Sequence, residues 1–319
     1  MGDMMKKFDK TLFISVILLC LFGLLMVYSS SSIWADYKFG DSFHYLKYQG
    51  VFFVIGLFIM IFISYINPKV YYKYSNKILI FSFILLVLVL IPGIGSVRNG
   101  SRSWFGIGSL GIQPSEAAKI SLIIFMSIIS ILFIAGASMK FFMFGGILGV
   151  IGVLILIIIA PYRIDRITAF IDPWKDELGT GFQIIQSLYA IGPGGLLGTG
   201  YLNSVQKHFY LPEPQTDFIF SIICEEFGVM GAVIVVLLFS ILFYRGVSIA
   251  VKSKDLFSKY LAFGVLFQIL FQAIMNLCVV VGIIPVTGVT LPFLSYGGSS
   301  LLISMASVGI LLSIYRFNN

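Results

Sequence analysis

Long apolar runs constrain this chain more than any other feature of its sequence. A helix needs about twenty residues to cross the ~30 Å hydrocarbon core of a bilayer, and eight runs reach that length. The chain is 59% hydrophobic and only 11% charged, with a mean hydropathy of +1.01, far outside the soluble range. We therefore predict an all-α polytopic membrane protein, a single integral membrane domain over 1–319, with about eight transmembrane helices near 11–32, 49–66, 77–93, 114–137, 141–160, 218–244, 260–284 and 299–316.

The charge distribution predicts the orientation of these spans. Eight alternating spans place both termini on one side, and the loops of that side carry 12 Lys/Arg, against 8 in the loops of the other side. The positive-inside rule then predicts that both termini are cytoplasmic. The net charge of +7 is explained by this topology. Because the basic residues cluster only in short juxtamembrane loops, no nucleic-acid partner is expected.

Two outer segments are unusual. The extracytoplasmic loop 161–217 is long, and long ordered loops are usually functional. Within it, Gly181–Ile191 has apolar residues at helical spacing, which predicts an amphipathic helix at the membrane surface, with Phe182, Ile185, Leu188 and Tyr189 on its apolar face. The second segment, 285–300, is too rich in Pro and Gly for a regular helix and too apolar for a free loop. We expect it to pack into the protein and to wall any cavity open to the outer face.

Asp217 is the most informative single residue. It stands at the start of the sixth apolar run, just after Pro212 and Pro214, where an ionisable group is costly unless it has a role. Two interpretations are open from the residues alone. Asp217 caps the helix that begins at Phe218, or it is a general base whose pKa is raised by partial burial.

Other titratable residues give weaker signals. Glu116 and Lys119 share a helix face at i, i+3 and can pair; a structural ion pair and a role at a site are both compatible with this spacing. The cysteines lie inside spans and predict inert thiols, and the two histidines lack metal-ligand spacing.

Several spaced motifs together resemble the SEDS family (shape, elongation, division and sporulation), the group that includes FtsW, RodA and SpoVE. The match is nearest to the FtsW/SpoVE branch. The motifs are Arg102–Phe105, Gln113–Lys119, Asp172–Trp174, Gly181–Gln183, Asn203–Lys207, Leu211–Phe220, Pro285–Gly288 and Leu291–Ser300.

This resemblance implies a peptidoglycan glycosyltransferase of the bacterial cytoplasmic membrane that polymerises lipid II during cell division or sporulation. It implies Asp217 as the general base and a class B penicillin-binding protein as a partner. A divalent cation, Mg²⁺ or Mn²⁺, on Asp217 would match the pyrophosphate charge. Candidate substrate-binding residues are Arg102, Trp104, Glu116, Lys119, Lys207, Glu213, Ser295 and Tyr296. The alternative functions are a lipid II flippase and an inactive scaffold for the penicillin-binding protein.

The chain departs from this family at one place. Family members typically have ten spans, and about fifty residues are absent here from within the fourth run, with the junction near 127–128. Both remnants should run from outside to inside, so their fusion gives one span and keeps the orientation of everything downstream. We expect the rest of the fold to survive, with the packing of one helix hairpin lost.

Overall fold

Eight long helices form the structure, a computed structural model that describes residues 8–98, 101–107, 110–159, 166, 169–177, 179 and 181–318. Seven of them are long and apolar enough to cross a membrane. The other, α5, occupies the predicted fifth run, and its Met143–Gly152 stretch is apolar. The long helices are α1 (Lys10–Phe39), α2 (His44–Ile63), α3 (Pro68–Leu88), α4 (Pro114–Ile134), α5 (Met139–Ile159), α7 (Ile219–Lys252), α8 (Leu256–Val280) and α9 (Gly298–Asn318).

Capping residues set where the helices begin at one end of the bundle. Asp9 caps α1 by accepting from the backbone N–H of Leu12 over 3.0 Å. Asn67 caps α3, which has proline at its first position, and Asp255 caps α8. These side chains satisfy backbone donors that the first helical turn leaves unpaired. The helices therefore extend past their apolar runs to the nearest cap.

The last helix, α9, is the centre of the bundle. An apolar 18-residue stretch of this helix is 72% buried inside the protein, compared with 17% for the corresponding stretches of α3 and α4. It packs closely on α2, and a Cβ on Gly309 would lie 2.7 Å from the Met60 carbonyl. Small residues permit such close approach between membrane helices. The lipid-facing helices surround this core.

The first and last described residues of the chain lie at the same end of the bundle. The guanidinium of Arg245, near the end of α7, pairs with Asp9 at the start of α1, with Nε 3.1 Å from Oδ2. Arg316, near the end of α9, stacks 3.8 Å from the ring of Tyr65 and 5.8 Å from that of Phe8. The alternation of spans expected from the sequence therefore holds for the described residues. The cytoplasmic orientation of this end remains a prediction.

Short elements cover the opposite end. Three antiparallel strands, β1 (Ser96–Arg98), β2 (Ser101–Ile107) and β3 (Leu110–Ile112), form a small sheet in the order β1-β2-β3. A Ser299 hydroxyl ties it to α9 by donating to the carbonyl of Gly111 over 3.0 Å. Parts of the predicted loop 161–217 (161–165, 167–168, 178 and 180) lie outside the described residues.

The amphipathic helix of that loop, α6 (Phe182–Ile191), forms but packs on α7. The Ser187 hydroxyl lies 2.7 Å from the Ser221 hydroxyl and donates to the Val280 carbonyl over 2.7 Å. Of the four apolar residues named from the sequence, Leu188 and Tyr189 are exposed, and the placement of α6 at the membrane surface stays a prediction. The hydroxyl contacts turn α6 so that these two side chains are exposed, while its buried residues are Ile184, Ile185, Ser187 and Ala190.

Helix α7 is broken at Gly228, where φ is 60° and ψ is −153°. This conformation is open almost only to glycine. The break separates a short outer part, 219–227, from the long part, 229–252. A broken helix leaves backbone carbonyls before the break and N–H groups after it without intrahelical partners, which is costly at membrane depth.

The glycine-rich loop 194–200 supplies those partners with its own backbone. A Cβ on Gly194 or Gly198 would lie about 2 Å from α7 carbonyls (2.0 and 2.2 Å), so only glycine allows this approach. The backbone of the loop and the backbone at the break thus satisfy each other's hydrogen-bonding groups. The bonds are Thr199 N–H to Glu225 O (2.9 Å), Gly200 N–H to Glu226 O (3.0 Å), Val229 N–H to Gly195 O (3.0 Å) and Met230 N–H to Leu196 O (3.2 Å).

Candidate active site

Asp217 lies immediately before α7 but does not cap it. The N-cap residue is Phe218, and no side chain makes a capping hydrogen bond there. The side chain of Asp217 is half-buried, and its Oδ1 accepts from the hydroxyl of Thr216 over 2.6 Å. The sequence left two interpretations of Asp217 open, and this geometry excludes the one in which Asp217 caps the helix.

Two amides on α8 hold the outer segments together. Asn276 donates to the carbonyl of Asp217 over 2.7 Å and to that of Val289 over 2.8 Å. One turn earlier on the same helix, Gln272 donates to the carbonyl of Thr290 over 3.0 Å. Successive amides on α8 therefore bind successive carbonyls of the segment 285–297, which is irregular as predicted.

The predicted Glu116–Lys119 pair is present at the outer end of α4. Lys119 Nζ lies 2.8 Å from Oε2 of Glu116, and the Lys119 side chain is 34% exposed. Lys119 also donates to Oε1 of Gln272 over 2.9 Å. Lys119 thus connects Glu116 to Gln272, the residue whose amide binds the carbonyl of Thr290.

Tyr296 and Glu213 lie in the segments that flank Asp217. The backbone N–H of Tyr296 donates to the carbonyl of Gln215 over 2.8 Å, and its ring packs edge-on against Tyr45 at a centroid distance of 4.8 Å. Glu213 is exposed, with a positive φ of 44°. Segments 213–217 and 295–297 are therefore adjacent.

Ser295 has a different environment from the one expected of a substrate ligand. Its side chain is buried, and its hydroxyl accepts from the backbone N–H of Leu291 over 2.8 Å. Its carbonyl accepts from the amide of Gln49 over 3.0 Å. These contacts correct the expectation that Ser295 binds substrate, because the hydroxyl stabilises the turn of its own segment.

Arg166 is a site residue that sequence reasoning missed. Its Nη1 donates to the carbonyl of Val286 over 3.0 Å. A Cβ on Gly288, where φ is 71°, would lie 3.9 Å from Arg166 Nη1 and 3.9 Å from Asp217 Oδ2. A guanidinium and the Asp217 carboxylate therefore flank the same glycine. Nothing in the sequence separates Arg166 from the other cations of the long loop, so only the fold identifies it.

Lys207 is buried rather than displayed at the outer surface. Its side chain is 2% exposed, and its Nζ lies 3.0 Å from Oε1 of Glu226, which is itself 0% exposed. The Ser29 hydroxyl of α1 donates to the same carboxylate. Since an ammonium so enclosed cannot reach a ligand outside, this geometry corrects the expected role of Lys207 in binding pyrophosphate.

The neighbouring Glu225 completes this buried cluster. Its Oε2 accepts from the Ser204 hydroxyl over 2.5 Å, and its Oε1 accepts from the backbone N–H of Val205 over 2.7 Å. Buried carboxylates require such partners. Glu225 and Glu226 therefore form a buried structural network, which anchors the turn that precedes the Asp217 segment.

Arg102 and Trp104 lie on strand β2. Arg102 is paired with Val97 of β1, and Trp104 with Ser96, whose hydroxyl donates to the Trp104 carbonyl over 3.1 Å. Arg102 is half-buried, and within the described part of the chain its Nη1 has no hydrogen-bond partner. A buried donor of this kind is costly unless a partner binds it.

The ligand set for a metal is small. Within the described residues, no group of three or more His, Cys, Asp and Glu side chains could hold an ion. Asp217 contributes one carboxylate to the outer site, and a divalent cation bound by the protein alone usually takes more. These residues do not fit a resident metal.

The fold and this geometry define a polytopic membrane protein with an acid, an ion pair and a guanidinium gathered at the end of its bundle opposite Asp9 and Arg316. The sequence model of the FtsW/RodA/SpoVE cell cycle proteins matches residues 9–129 and 123–319. The chain belongs to this family.

The names of similar proteins agree with this assignment. The chain is 45% identical to stage V sporulation protein E of Bacillus subtilis, over 97% of each chain. It is 36% identical to the probable peptidoglycan glycosyltransferase FtsW of Geobacter sp., again over 97% of each.

Solved structures give the same result. A chain from a structure describing the coordination of polymerisation and crosslinking by a peptidoglycan synthase complex superposes with a TM-score of 0.72, at 26% identity and 98% coverage of each chain. The rod shape determining protein RodA of Thermus thermophilus gives a TM-score of 0.68, at 27% identity and 97% coverage of each.

The two matched segments of the family model meet inside α4. They overlap at 123–129, and α4 runs through this stretch as one helix. The alignment with the Bacillus subtilis relative is 356 positions long, more than the 319 residues of the whole chain. That alignment therefore includes relative positions with no counterpart in this chain.

Proposed function

We propose that this protein is a peptidoglycan glycosyltransferase that polymerises lipid II at the outer face of the bacterial cytoplasmic membrane, in division or sporulation. The observation that carries the proposal is the environment of Asp217. This acid is half-buried, does not cap its helix, and shares the space beside Gly288 with the guanidinium of Arg166. The names of the FtsW relatives support the same activity.

The reaction needs few groups. The acceptor hydroxyl oxygen forms a bond to the anomeric carbon of the donor sugar, while the bond from that carbon to the pyrophosphate oxygen breaks. Asp217 accepts the hydroxyl proton as general base. The pyrophosphate leaves with its electron pair and needs only charge neutralisation, so no second carboxylic acid is required, in contrast to glycoside hydrolysis.

Several cations suit the leaving group. Arg166 flanks Gly288 together with Asp217, and a planar guanidinium binds phosphate oxygens in a bidentate manner. Arg102 brings an unsatisfied donor, and Lys119, held by Glu116, brings a partly exposed ammonium. We retain Trp104, Glu213 and Tyr296 as contacts to the sugar or lipid. Lys207 and Ser295 are left out because their polar atoms are buried in structural contacts.

A divalent cation would have to arrive with the substrate. Since the described residues supply one carboxylate at this point, Mg²⁺ or Mn²⁺ would take most of its ligands from pyrophosphate and water. We propose this shared arrangement and assign no step of the reaction to the metal.

We further propose a class B penicillin-binding protein as the partner and a cytoplasmic position for both termini. A peptidoglycan synthase complex contains a chain of the same fold. The excess of Lys/Arg on the loops at the end that carries both termini supports their orientation.

We propose that the chain lacks one helix hairpin of the family, joined near 127–128 within α4. The two-part match to the family model supports this junction. If the missing hairpin is needed for turnover, the protein is a scaffold for the penicillin-binding protein, and the activity assay separates the two cases.

The test is lipid II polymerisation by the purified full chain, with Asp217→Asn beside it and Asp41→Asn as matched control. Asp41 is an exposed loop acid paired with Lys47 at 2.7 Å. We expect polymer from the wild type and the control, and none above background from Asp217→Asn. Undiminished polymerisation by Asp217→Asn would refute the proposal.

Two further outcomes point to the alternatives. Absent turnover in all three proteins, with the penicillin-binding protein still co-purifying and activity restored by grafting the missing segment, would indicate a scaffold. Lipid II translocation in liposomes without polymer would indicate a flippase.

A further inference from the structure

Asn276 has a position that the proposed reaction does not yet explain. Its side chain is 1% exposed, on α8, a helix that carries none of the reacting groups. Both hydrogens of its amide nitrogen are used, one for the carbonyl of Asp217 (2.7 Å) and one for that of Val289 (2.8 Å). An amide nitrogen has only these two hydrogens to donate, so its bonding is complete on that side.

The two acceptors belong to irregular backbone. Asp217 precedes the first turn of α7, and Val289 lies in the segment between α8 and α9. Carbonyls in such segments have no ladder or helix partner, and at membrane depth they must find one. By binding both, Asn276 fixes the peptide that leads out of Asp217 relative to the segment containing Gly288, the glycine flanked by Asp217 and Arg166.

The oxygen of the same amide indicates that Asn276 positions the backbone rather than stabilises the fold. Oδ1 of Asn276 is buried and has no hydrogen-bond partner in the part of the chain that the structure describes. A buried acceptor without a partner reduces stability. A residue chosen for stability alone would therefore avoid this oxygen, whereas one chosen to hold two carbonyls needs the amide nitrogen attached to it.

Gln272 extends the arrangement by one helical turn. Its amide nitrogen binds the carbonyl of Thr290, and its oxygen accepts from Lys119. A continuous set of contacts therefore runs from the Glu116–Lys119 pair through Gln272, residues 289–290 and Asn276 to Asp217. Because Gln272 and Asn276 both belong to α8, this helix fixes the distance between the Glu116–Lys119 pair and Asp217.

We propose that Asn276 is a positioning residue of the glycosyltransferase site, which fixes the Asp217 carboxylate relative to the substrate by binding the Asp217 and Val289 carbonyls together. The proposal rests on the proposed function, since it assigns Asn276 to the base of that reaction. It acts through Asp217 and does not touch the reacting atoms.

The test compares Asn276→Ala and Asn276→Asp with the same changes at Asn203. Asn203 is a matched control because its amide also donates to a loop carbonyl, that of Thr199, over 3.1 Å, but in an exposed turn. Steady-state lipid II polymerisation is measured for each full-length protein. Thermal unfolding of each sample shows which variants are folded.

Asn276→Ala should lower kcat by about 10- to 100-fold with little change in KM, because a misplaced base slows the chemical step without weakening ground-state binding. Asn276→Asp, which has the same shape, should lower kcat similarly. A carboxyl group cannot replace the amide nitrogen as the donor to both carbonyls, so KM should again change little. The Asn203 variants should match the wild type in both respects.

An unchanged kcat in Asn276→Ala would overturn the proposal. If Asn276→Ala does not fold, Asn276→Asp decides, and an unchanged kcat in that variant would overturn the proposal equally. Asp217→Asn separates the two hypotheses. Full turnover by Asp217→Asn refutes the proposed function itself, whereas an inactive Asp217→Asn together with normal Asn276 variants refutes only the positioning role.

Discussion

Lys207 Nζ lies 3.0 Å from Oε1 of Glu226, with both side chains almost fully enclosed. An ammonium in this position fixes the loop before Asp217 to the outer part of α7. Removing one partner of a buried ion pair costs far more than removing both, because the remaining charge is left without compensation. This pair therefore has a clear signature in mutagenesis.

Lys207→Met should destabilise the protein by about 3–5 kcal/mol, and adding Glu226→Gln should recover much of the loss. Thermal unfolding in detergent measures both effects. A Lys207→Met protein that melts like the wild type but shows a raised KM for lipid II would instead mean that Lys207 contacts substrate.

Gly228→Ala should destabilise the protein by at least about 1–3 kcal/mol, the cost of a side chain in a backbone conformation reserved for glycine. A Cβ there would also lie 2.6 Å from the backbone nitrogen of Gly198. The matched control is Gly149→Ala on α5, where no atom lies within 4 Å of the new Cβ. The control should be neutral or stabilising by up to about 1 kcal/mol. Equal melting temperatures for the two variants would contradict the account of the helix break.

Arg166→Ala should lower kcat/KM for lipid II by about 10- to 100-fold, because the leaving pyrophosphate loses a guanidinium partner. Arg166→Lys should recover part of this loss, since the charge returns without the planar fork. Lys175→Ala, which removes an exposed cation of the same loop, is the control and should have no effect. Wild-type kinetics in Arg166→Ala would remove Arg166 from the site.

A cysteine placed at Ala137, in the turn between α4 and α5, should react with a membrane-permeant thiol reagent but not with an impermeant one applied to intact cells. A cysteine at Asn203 should react with both. The three native cysteines are buried or half-buried and are replaced by alanine beforehand. Outside labelling at position 137 would contradict the proposed orientation and the joined span of α4.

The sequence was a good guide to the spans and a poorer one to their ends. Apolar runs locate the part of a helix that can face hydrocarbon, so a helix lies at each of the eight runs, and seven of these helices are long and apolar enough to cross a membrane. The runs do not locate caps: α3 begins at Pro68 behind the Asn67 cap, nine residues before the run predicted from 77. The three short strands near Trp104 were missed for a similar reason, since they lie outside the membrane.

The candidate site shows the same limit. Asp217 and the Glu116–Lys119 pair could be predicted because a charge at the edge of a span is conspicuous. Asn276 was missed because its significance comes from a contact with a residue 59 positions away. Lys207 was misjudged because a cation in a loop looks solvated until the fold shows the carboxylate beside it.

The inserted glycine loop has a consequence for the order in which this protein is made. The loop 194–200 and the helix break it satisfies are close in sequence, so they can pair soon after both have been synthesised, when loop closure costs little entropy. Asp217 must wait longer, because Asn276 and Val289 emerge later. During synthesis, the contacts between the loop 194–200 and the break in α7 can therefore form before Asn276 binds the carbonyl of Asp217. A chain truncated before α8 would contain Asp217 without this hydrogen bond.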